Sequence, residues 1–442
     1  MRALWLLIAI ASAAGTAGAG ERRFPPPEFD TGYAIPSDRP LPAPRDQAAE
    51  YRDVVGLFMA LSLATVLALL VRSRRWIVAV MLVFLVWFGL VRRGCICPIG
   101  AIQDVSEALL GGGYAVPLTV AAFFLIPLVF AALFGRTFCG AVCPLGAVQD
   151  LVALKPVKVP AAAEHALGLL RYVYLAAAVV LAVTGSAYLI CRYDPFVGLF
   201  RLSASAEMLL LAGCVLAVGV FVARPYCRYI CPYGAILGVL SRLSWRHATI
   251  TPDECIRCRL CEDSCPFGAI DAPTEPLTEP RRRAGRRRLA LLLLLAPVLV
   301  IAGGWGGGLT GAYLATAHLT VRTADRVRME ETGQVTGTDL LSDAFRATGR
   351  SRKDLYADAV AVRAQFDSRW ALPGGVRIGW AHLMGGFIGL VVAAKLIALS
   401  IHRTRTDYVP NRARCLSCGR CFSYCPKGRK GGGRGGRGEK QR

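Results

Sequence analysis

Apolar residues gather in seven long stretches, at about residues 53–71, 76–91, 114–134, 167–190, 203–223, 289–310 and 376–401, with polar or cysteine-bearing connections between them. A helix needs about twenty such residues to cross a hydrocarbon layer of ~30 Å, and these stretches reach or approach that length. Within hydrocarbon each backbone N–H and C=O must be satisfied inside its own segment. The pattern therefore predicts a membrane all-α fold, a polytopic bundle of about seven transmembrane helices. Residues 319–372 break the pattern: acids and bases nearly balance, and "DLLSDAFRATG" and "KDLYADAVAVRAQF" carry helical periodicity, so a helical cap on the outer face is expected. The preceding "GGWGGGLTGAY" (303–313) lacks a following P-loop lysine and reads as close helix packing or a helix break near the outer surface.

The amino terminus divides into a signal peptide over 1–19, with Arg2, an apolar run and small residues before Gly20, and a proline-rich extracytoplasmic lead over 20–52. An outside start followed by seven crossings places the carboxyl end inside. The "RSRR" turn (72–75), Lys155, Lys158 and the basic 224–288 segment then lie on the cytoplasmic side, as positive charge prefers, whereas Arg92 and Arg93 lie on the other. The expected location is the inner (plasma) membrane, multi-pass, with the carboxyl end cytoplasmic. Hydrophobic residues make up 54% of the 442, too many for an ordinary soluble protein. The formal charge of +22 is concentrated in "RRRAGRRR" (281–288) and in the 428–442 tail. That tail reads as a disordered basic segment near anionic lipid, with no nucleic-acid partner expected.

Sixteen cysteines change the picture. "CIRCRLCEDSCP" sets Cys255, Cys258, Cys261 and Cys265 in the order C-x2-C-x2-C-x3-C-P, and "CLSCGRCFSYCP" repeats it with Cys415, Cys418, Cys421 and Cys425. One tight loop with two-residue gaps can present three thiolates to three corners of a cubane, with a fourth from the next turn or from elsewhere. Zinc is the competing reading, but its sites more often pair two C-x2-C units over a long separation. The spacing is that of bacterial-type two-cluster ferredoxins, in which the fourth cysteine of each run serves the other run's cluster. That resemblance implies two [4Fe-4S] clusters in a cytoplasmic split ferredoxin-like α+β module: Cys255, Cys258, Cys261 and Cys425 around one, Cys415, Cys418, Cys421 and Cys265 around the other. Two independent clusters are the alternative.

Further cysteines end helices. Cys139 and Cys143 in "CGAVCPLGA", and Cys227 and Cys231 in "CRYICPYGA", form two C-x3-C-P pairs expected at the inner face, candidates for an additional metal or iron-sulfur centre or for structural or redox-active thiols. Cys95 and Cys97 in "GCICPIGA", with Cys191 in "CRYDPF", form a candidate outer-face site, with Cys214 as a mid-helix outlier. In each C-P pair the proline pushes the cysteine into an extended conformation and opens a helix, holding sulfur near a helix amino terminus. His318 and His382 fall near outer helix ends and read as interfacial histidines rather than haem ligands. No catalytic constellation is recognised.

"FGRTFCGAVCPLGA", "ARPYCRYICPYGA" and "ITPDECIRCRLCEDSCPFGAI" together resemble the NapH/NosR-type membrane-bound 4Fe-4S polyferredoxins, over about 76–270 and 376–426. The resemblance implies an electron-transfer component of an oxidoreductase system, relaying electrons between a cytoplasmic donor or quinone pool and an extracytoplasmic or membrane acceptor. Its partners would be the lipid membrane, redox proteins and a quinone. Residues 20–52 are too short for the extracytoplasmic flavin domain of NosR-like members, and "TGAYLAT" (310–316) has Tyr313 where a flavinylated threonine is wanted, which argues against FMN. A redox sensor or maturation factor, and a redox-coupled transporter, are the competing functions. The expected organisation is a membrane domain with CPxGA motifs over 53–247, ferredoxin half 1 over 248–275, a basic linker and transmembrane helix over 276–318, the cap over 319–372, a last transmembrane helix over 373–403 and ferredoxin half 2 over 404–427.

Overall fold

The computed structural model describes residues 47–92, 97–111, 115–201, 205–250, 255–276, 278–335, 340–373 and 375–426. The expected signal peptide, most of the lead, Cys95 and the basic tail lie outside them.

Each of the seven apolar stretches forms a helix. They are α1 (Gln47–Val66), α2 (Arg74–Phe84), α3 (Leu118–Phe134), α4 (Leu170–Val183), α5 (Ala206–Phe221), α6 (Glu279–Leu309) and α7 (Trp380–Ser400). With the turns that extend them, five are long and apolar enough to cross a membrane; α3 and α5 are apolar but shorter. The first helix is already formed at Gln47, the first described residue, ahead of the apolar stretch. Arg92, on the unexpected side of the charge rule, is ion-paired with Asp53 of α1. A paired cation keeps its charge without facing lipid or open water, which accounts for its position.

Four short helices follow cysteine or aspartate turns and were not distinguished in the apolar pattern: Ala101–Ser106, Pro144–Val152, Pro195–Arg201 and Pro232–Leu240. They fold back against the bundle. Tyr233, two residues past Cys231, stacks on Phe124 in α3 at 5.9 Å and donates its hydroxyl to the Phe124 carbonyl at 2.7 Å. The core joins Leu57 and Leu61 of α1, Phe123 and Phe130 of α3, Ala178 of α4, and Cys143, Tyr226, Cys231 and Tyr233 of these turns.

Helices α6 and α7 pack along a glycine seam. A Cβ at Gly303 would come within 2.5 Å of the Gly385 carbonyl oxygen, and one at Gly385 or Gly389 would overlap the backbone of Gly303 or Leu299. The glycine-rich phrase thus serves close packing, the mode expected where apolar lipid gives helices no hydrophobic reason to associate. Beyond it, helices Leu319–Glu331, Leu340–Ala347 and Arg352–Asp367 form a helical cap on α6 and α7, with Val321, Val327, Leu355 and Ala359 inside. A two-residue hairpin, β2 (Trp370–Ala371) with β3 (Arg377–Ile378), returns the chain to α7.

The two distant ferredoxin-like runs meet. Strand β1 (Ile270–Asp271) pairs antiparallel with β4 (Val409–Pro410) in the register Ile270 to Pro410 and Asp271 to Val409. Asp271 fastens the pairing by ion pairs to Arg405 at 2.8 Å and Arg414 at 3.1 Å and by accepting from Asn411 at 3.1 Å.

Candidate metal centres

Both C-x2-C-x2-C loops adopt the same backbone. Arg257 (φ 51°) and Ser417 (φ 53°) are left-handed just before the second cysteine, and Arg259 (φ 63°) and Gly419 (φ 74°) just after it. Alternating right- and left-handed residues turn successive N–H groups to one side, the concave nest that receives anions and iron-sulfur clusters. Short helices Leu260–Asp263 and Arg420–Tyr424 carry the third cysteines. Cys425 is buried with Cys261, beside Cys255. Cys265 lies within electrostatic reach of Cys415 and Cys421. Each run's fourth cysteine therefore approaches the other run. Burial and neighbouring sulfurs push the Cys261 thiol up to about 11, and burial pushes that of Cys415 up to about 12. Thiols so raised become thiolates when a cation is there to receive them.

The C-x3-C-P pairs are also alike. Cys139 and Cys227 each ride a wide π turn, Phe138–Val142 and Tyr226–Ile230, closed by the Cys143 N–H to the Phe138 carbonyl at 3.0 Å and the Cys231 N–H to that of Tyr226 at 2.8 Å. Cys143 (φ −70°, ψ 117°) and Cys231 (φ −55°, ψ 112°) are extended, and the proline after each begins a helix. The sulfurs thus sit at helix amino termini, where the Cys231 Sγ accepts the Gly234 N–H at 3.3 Å. Among the described residues, no three His, Cys, Asp or Glu side chains converge as they would on one metal ion. A cubane spreads its ligands over four iron corners and needs no such convergence.

Three kinds of residue around these pairs escaped sequence reasoning, which followed sulfur alone. Arg136 and Arg224 each stand three residues before the first cysteine of a pair and cross to the other pair: the Arg224 guanidinium lies 3.0 Å from where a Cβ on Gly146 would sit, and that of Arg136 lies 3.2 Å from the same point on Gly234. Gln149 accepts the Tyr226 N–H at 3.1 Å and donates to the Cys227 Sγ at 3.2 Å. Gln103, six residues past Cys97 as Gln149 is past Cys143, accepts the N–H of Ile190 at 2.9 Å and of Cys191 at 3.4 Å. Asp150, buried, is held by Arg74 and Arg224 at 3.3 Å and Arg420 at 3.6 Å. Burial works against its charge, but these three guanidiniums outweigh it and hold the carboxyl below its ordinary range. The signal was present in "GAIQD" repeated as "GAVQD", and in "RTFC" matched by "RPYC".

The second ferredoxin-like run docks on this centre. The Leu416 carbonyl sits where a Cβ on Gly140 would be, Arg136 donates to the Ala413 carbonyl at 3.1 Å, and Arg74 to that of Cys418 at 2.7 Å. Arg224, fully buried, donates to the Cys139 carbonyl and lies over the Phe267 ring at 5.7 Å. Alongside, a cavity of about 720 Å³ reaches Cys227 and is lined by several arginines, including Arg171, Arg228 and Arg405, together with apolar residues such as Leu399 and Ile401.

Cys97 belongs to the same core as Cys143 and Cys231. Its turn therefore packs into the core of the bundle. The Cys191 Sγ lies 3.3 Å from where a Cβ on Gly100 would sit, in the turn after Cys97. Cys214 is exposed on α5, outside this group. His318 and His382 use Nδ1 to accept the N–H of Thr320 at 3.1 Å and of Gly379 at 3.3 Å.

Comparison with known families supports iron-sulfur binding by these segments. Residues 75–115, 116–160 and 205–250 each match a family described as a 4Fe-4S binding domain, and 248–271 and 412–428 match two further families of the same description. The chain thus carries five stretches that match 4Fe-4S binding domains. Among curated proteins, it is 34% identical to NirI of Paracoccus denitrificans over 125 residues, which is 27% of this chain and 18% of NirI. It is 35% identical to an uncharacterized protein, MJ0750, of Methanocaldococcus jannaschii over 98 residues, 22% of this chain and 41% of that one. It is 40% identical over 52 residues to the "Putative electron transport protein YccM" of Escherichia coli, 12% of this chain and 15% of YccM. The matches thus span less than half the length of each relative. No solved structure matches.

Proposed function

We propose that this protein is a membrane-bound electron-transfer component that carries electrons between a cytoplasmic donor and a membrane or extracytoplasmic acceptor. The observation that carries the reading is adjacency. The first run borders the second through the β1–β4 pairing, the second borders the C-x3-C-P group through Gly140 and Leu416, and that group shares a core with Cys97. A continuous series of cysteine groups suits a relay, since ~30 Å of hydrocarbon is too far for a single electron step. Bound [4Fe-4S] clusters supply one-electron exchange. The chain's residues hold and tune them. Cys255, Cys258, Cys261 and Cys425 would form one ligand set and Cys415, Cys418, Cys421 and Cys265 the other, the exchange that the resemblance to bacterial two-cluster ferredoxins implies. Cys139, Cys143, Cys227 and Cys231 would hold a third cluster between two helix amino termini, with Gln149 donating to sulfur and Arg136 and Arg224 offsetting negative charge. Cys95, Cys97 and Cys191 would serve a further centre nearer the outer face.

The first run, whose Cys258 is exposed, is the natural entry point for a soluble cytoplasmic donor. A quinone is the other partner class, and the cavity beside Cys227 is the place to seek it. Iron and acid-labile sulfide per chain, measured after anaerobic purification, test the reading: about eight irons mean the two ferredoxin-like clusters alone, about twelve establish the C-x3-C-P centre, and about sixteen a further one. Function itself is tested in vesicles holding a trapped acceptor. A reduced external donor should bleach it, and failure to do so with fully loaded protein refutes the relay. Cys425→Ser should weaken the signal of the first-run cluster, while loss of the second-run signal instead would refute the ligand exchange.

A further inference from the structure

The interval 161–204, between two stretches that match the 4Fe-4S family, has the architecture of a further copy. Helix α4 leads to Cys191, then to Asp194, then to a helix opened by Pro195. "CRYDP" here stands against "CRYICP" at Cys227, one residue shorter, so that Asp194 takes the place of Cys231 before the proline. The backbone agrees: Asp194 is extended (φ −79°, ψ 112°), as Cys231 is (φ −55°, ψ 112°). The side chains agree as well. Asp194 Oδ1 accepts the Phe196 N–H at 2.9 Å, capping its helix as the Cys231 sulfur caps the next. Both residues are buried.

Asp194 and Cys191 both lie within electrostatic reach of the Cys97 sulfur. Gln103, which accepts from the Cys191 N–H, leaves its own Nε2 buried without a hydrogen-bond acceptor. Its counterpart Gln149 gives that N–H to a cysteine sulfur. A buried donor of this kind costs stability unless something beside Cys191 receives it, and an anionic cluster would. Tyr226 donates to Asp194 Oδ2 at 2.8 Å and its N–H reaches Gln149, so one hydrogen-bonded line joins this place to the C-x3-C-P group.

We propose that Asp194 is the carboxylate ligand of an iron-sulfur cluster held by Cys97 and Cys191, a mixed thiolate-carboxylate centre in place of an all-cysteine one. The proposal rests on the reading that the Cys97 group holds a cluster. Cys95 lies outside the described residues and is no part of the argument. A hard oxygen ligand binds iron less firmly than a thiolate, so one iron of this cluster should be the most easily removed in the protein.

The test uses the anaerobically purified full-length holoprotein and its Asp194→Cys and Asp194→Asn variants, read by Mössbauer spectroscopy and by iron retained under a chelator. Wild type should show one oxygen-bound iron subsite and lose about one iron per chain early. Asp194→Cys should abolish that subsite and its loss. Asp194→Asn, which keeps the helix cap and the Tyr226 contact, should also abolish the subsite and lose more iron. If Asp194→Asn matches wild type in both measurements, Asp194 is only a helix cap and the proposal is overturned. If instead Cys97→Ser and Cys191→Ser leave iron content and spectrum unchanged, it is the cluster reading at this place that fails.

Discussion

Asp150→Asn removes one charge and almost no volume from the junction between the bundle and the second ferredoxin-like run. Its carboxylate binds Arg74 and Arg224 at 3.3 Å and Arg420 at 3.6 Å, three guanidiniums from three separate parts of the chain. At an effective dielectric of about 20, one such pair attracts by about 4 kcal/mol. Mutual repulsion of the arginines and the cost of burial cancel much of the sum, and breaking a buried pair of this type costs about 3–5 kcal/mol. Arg420 and Arg74 fasten the Cys415–Cys421 loop, so most of that loss should fall on the docking of residues 409–426. Amide hydrogen exchange in nanodiscs should then find this segment opening on the order of 10²-fold more often, while the helical cap is unchanged and Asp150→Glu recovers much of the protection. Acidification offers a check on sign. A carboxyl whose folded value is depressed contributes fully above its unfolded value of about 3.9, and that contribution is lost only as pH falls through the lower folded value. Docking should therefore outlast the titration of exposed carboxylates. Unchanged exchange in 409–426, or equal loss in the cap, would refute the reasoning.

Other perturbations read neighbouring links. Gly140→Ala drives a methyl into the Leu416 carbonyl and should cost about 1–3 kcal/mol, visible as weaker protection of the 409–426 segment without loss of helix content. Gly385→Val should separate α6 from α7, detected as a lengthened spin-label distance between them, whereas the same change at Gly306, which faces open space, should have little effect. Gln149→Leu removes the N–H to the Cys227 sulfur, and because such bonds favour the reduced cluster, the midpoint potential of that centre should fall in an EPR-monitored titration.

Much of this was legible in the chain. The seven apolar stretches named seven helices because backbone satisfaction in hydrocarbon leaves few other choices. The two C-x2-C-x2-C-x3-C-P runs stand some 150 residues apart, and the β1–β4 register, fastened by Asp271, brings the segments that follow the first and precede the second together. The four short helices were missed because they are six to nine residues long, below any span-length pattern. Asp194 was missed because a one-residue deletion hides its alignment with Cys231, and because it is not a cysteine. Arg224 and Asp150 belong to segments that read as ordinary basic and amphipathic sequence. Only the fold makes them neighbours, and burial gives their charges weight.

The three short helices that open on proline, at Pro144, Pro195 and Pro232, also bear on why the bundle tolerates so much buried charge. A proline at the first helical position loses no hydrogen bond, since its missing N–H would be unpaired there in any case, while the N–H groups after it remain free to face sulfur. Two such termini, at Cys143 and Cys231, already favour negative charge between them. The reciprocal placement of Arg136 and Arg224 adds a full positive charge on each side. Without an anion, two arginines buried this near helix amino termini would be costly to keep. With anionic sulfur between them the same groups become mutually stabilising, and one carboxylate, Asp150, then suffices to tie Arg224 to the arginines of the docking run. If the C-x3-C-P cysteines hold the proposed cluster, the arginines share in binding it: replacing Arg136 or Arg224 by glutamine should then lower the iron retained there even though no sulfur has been touched.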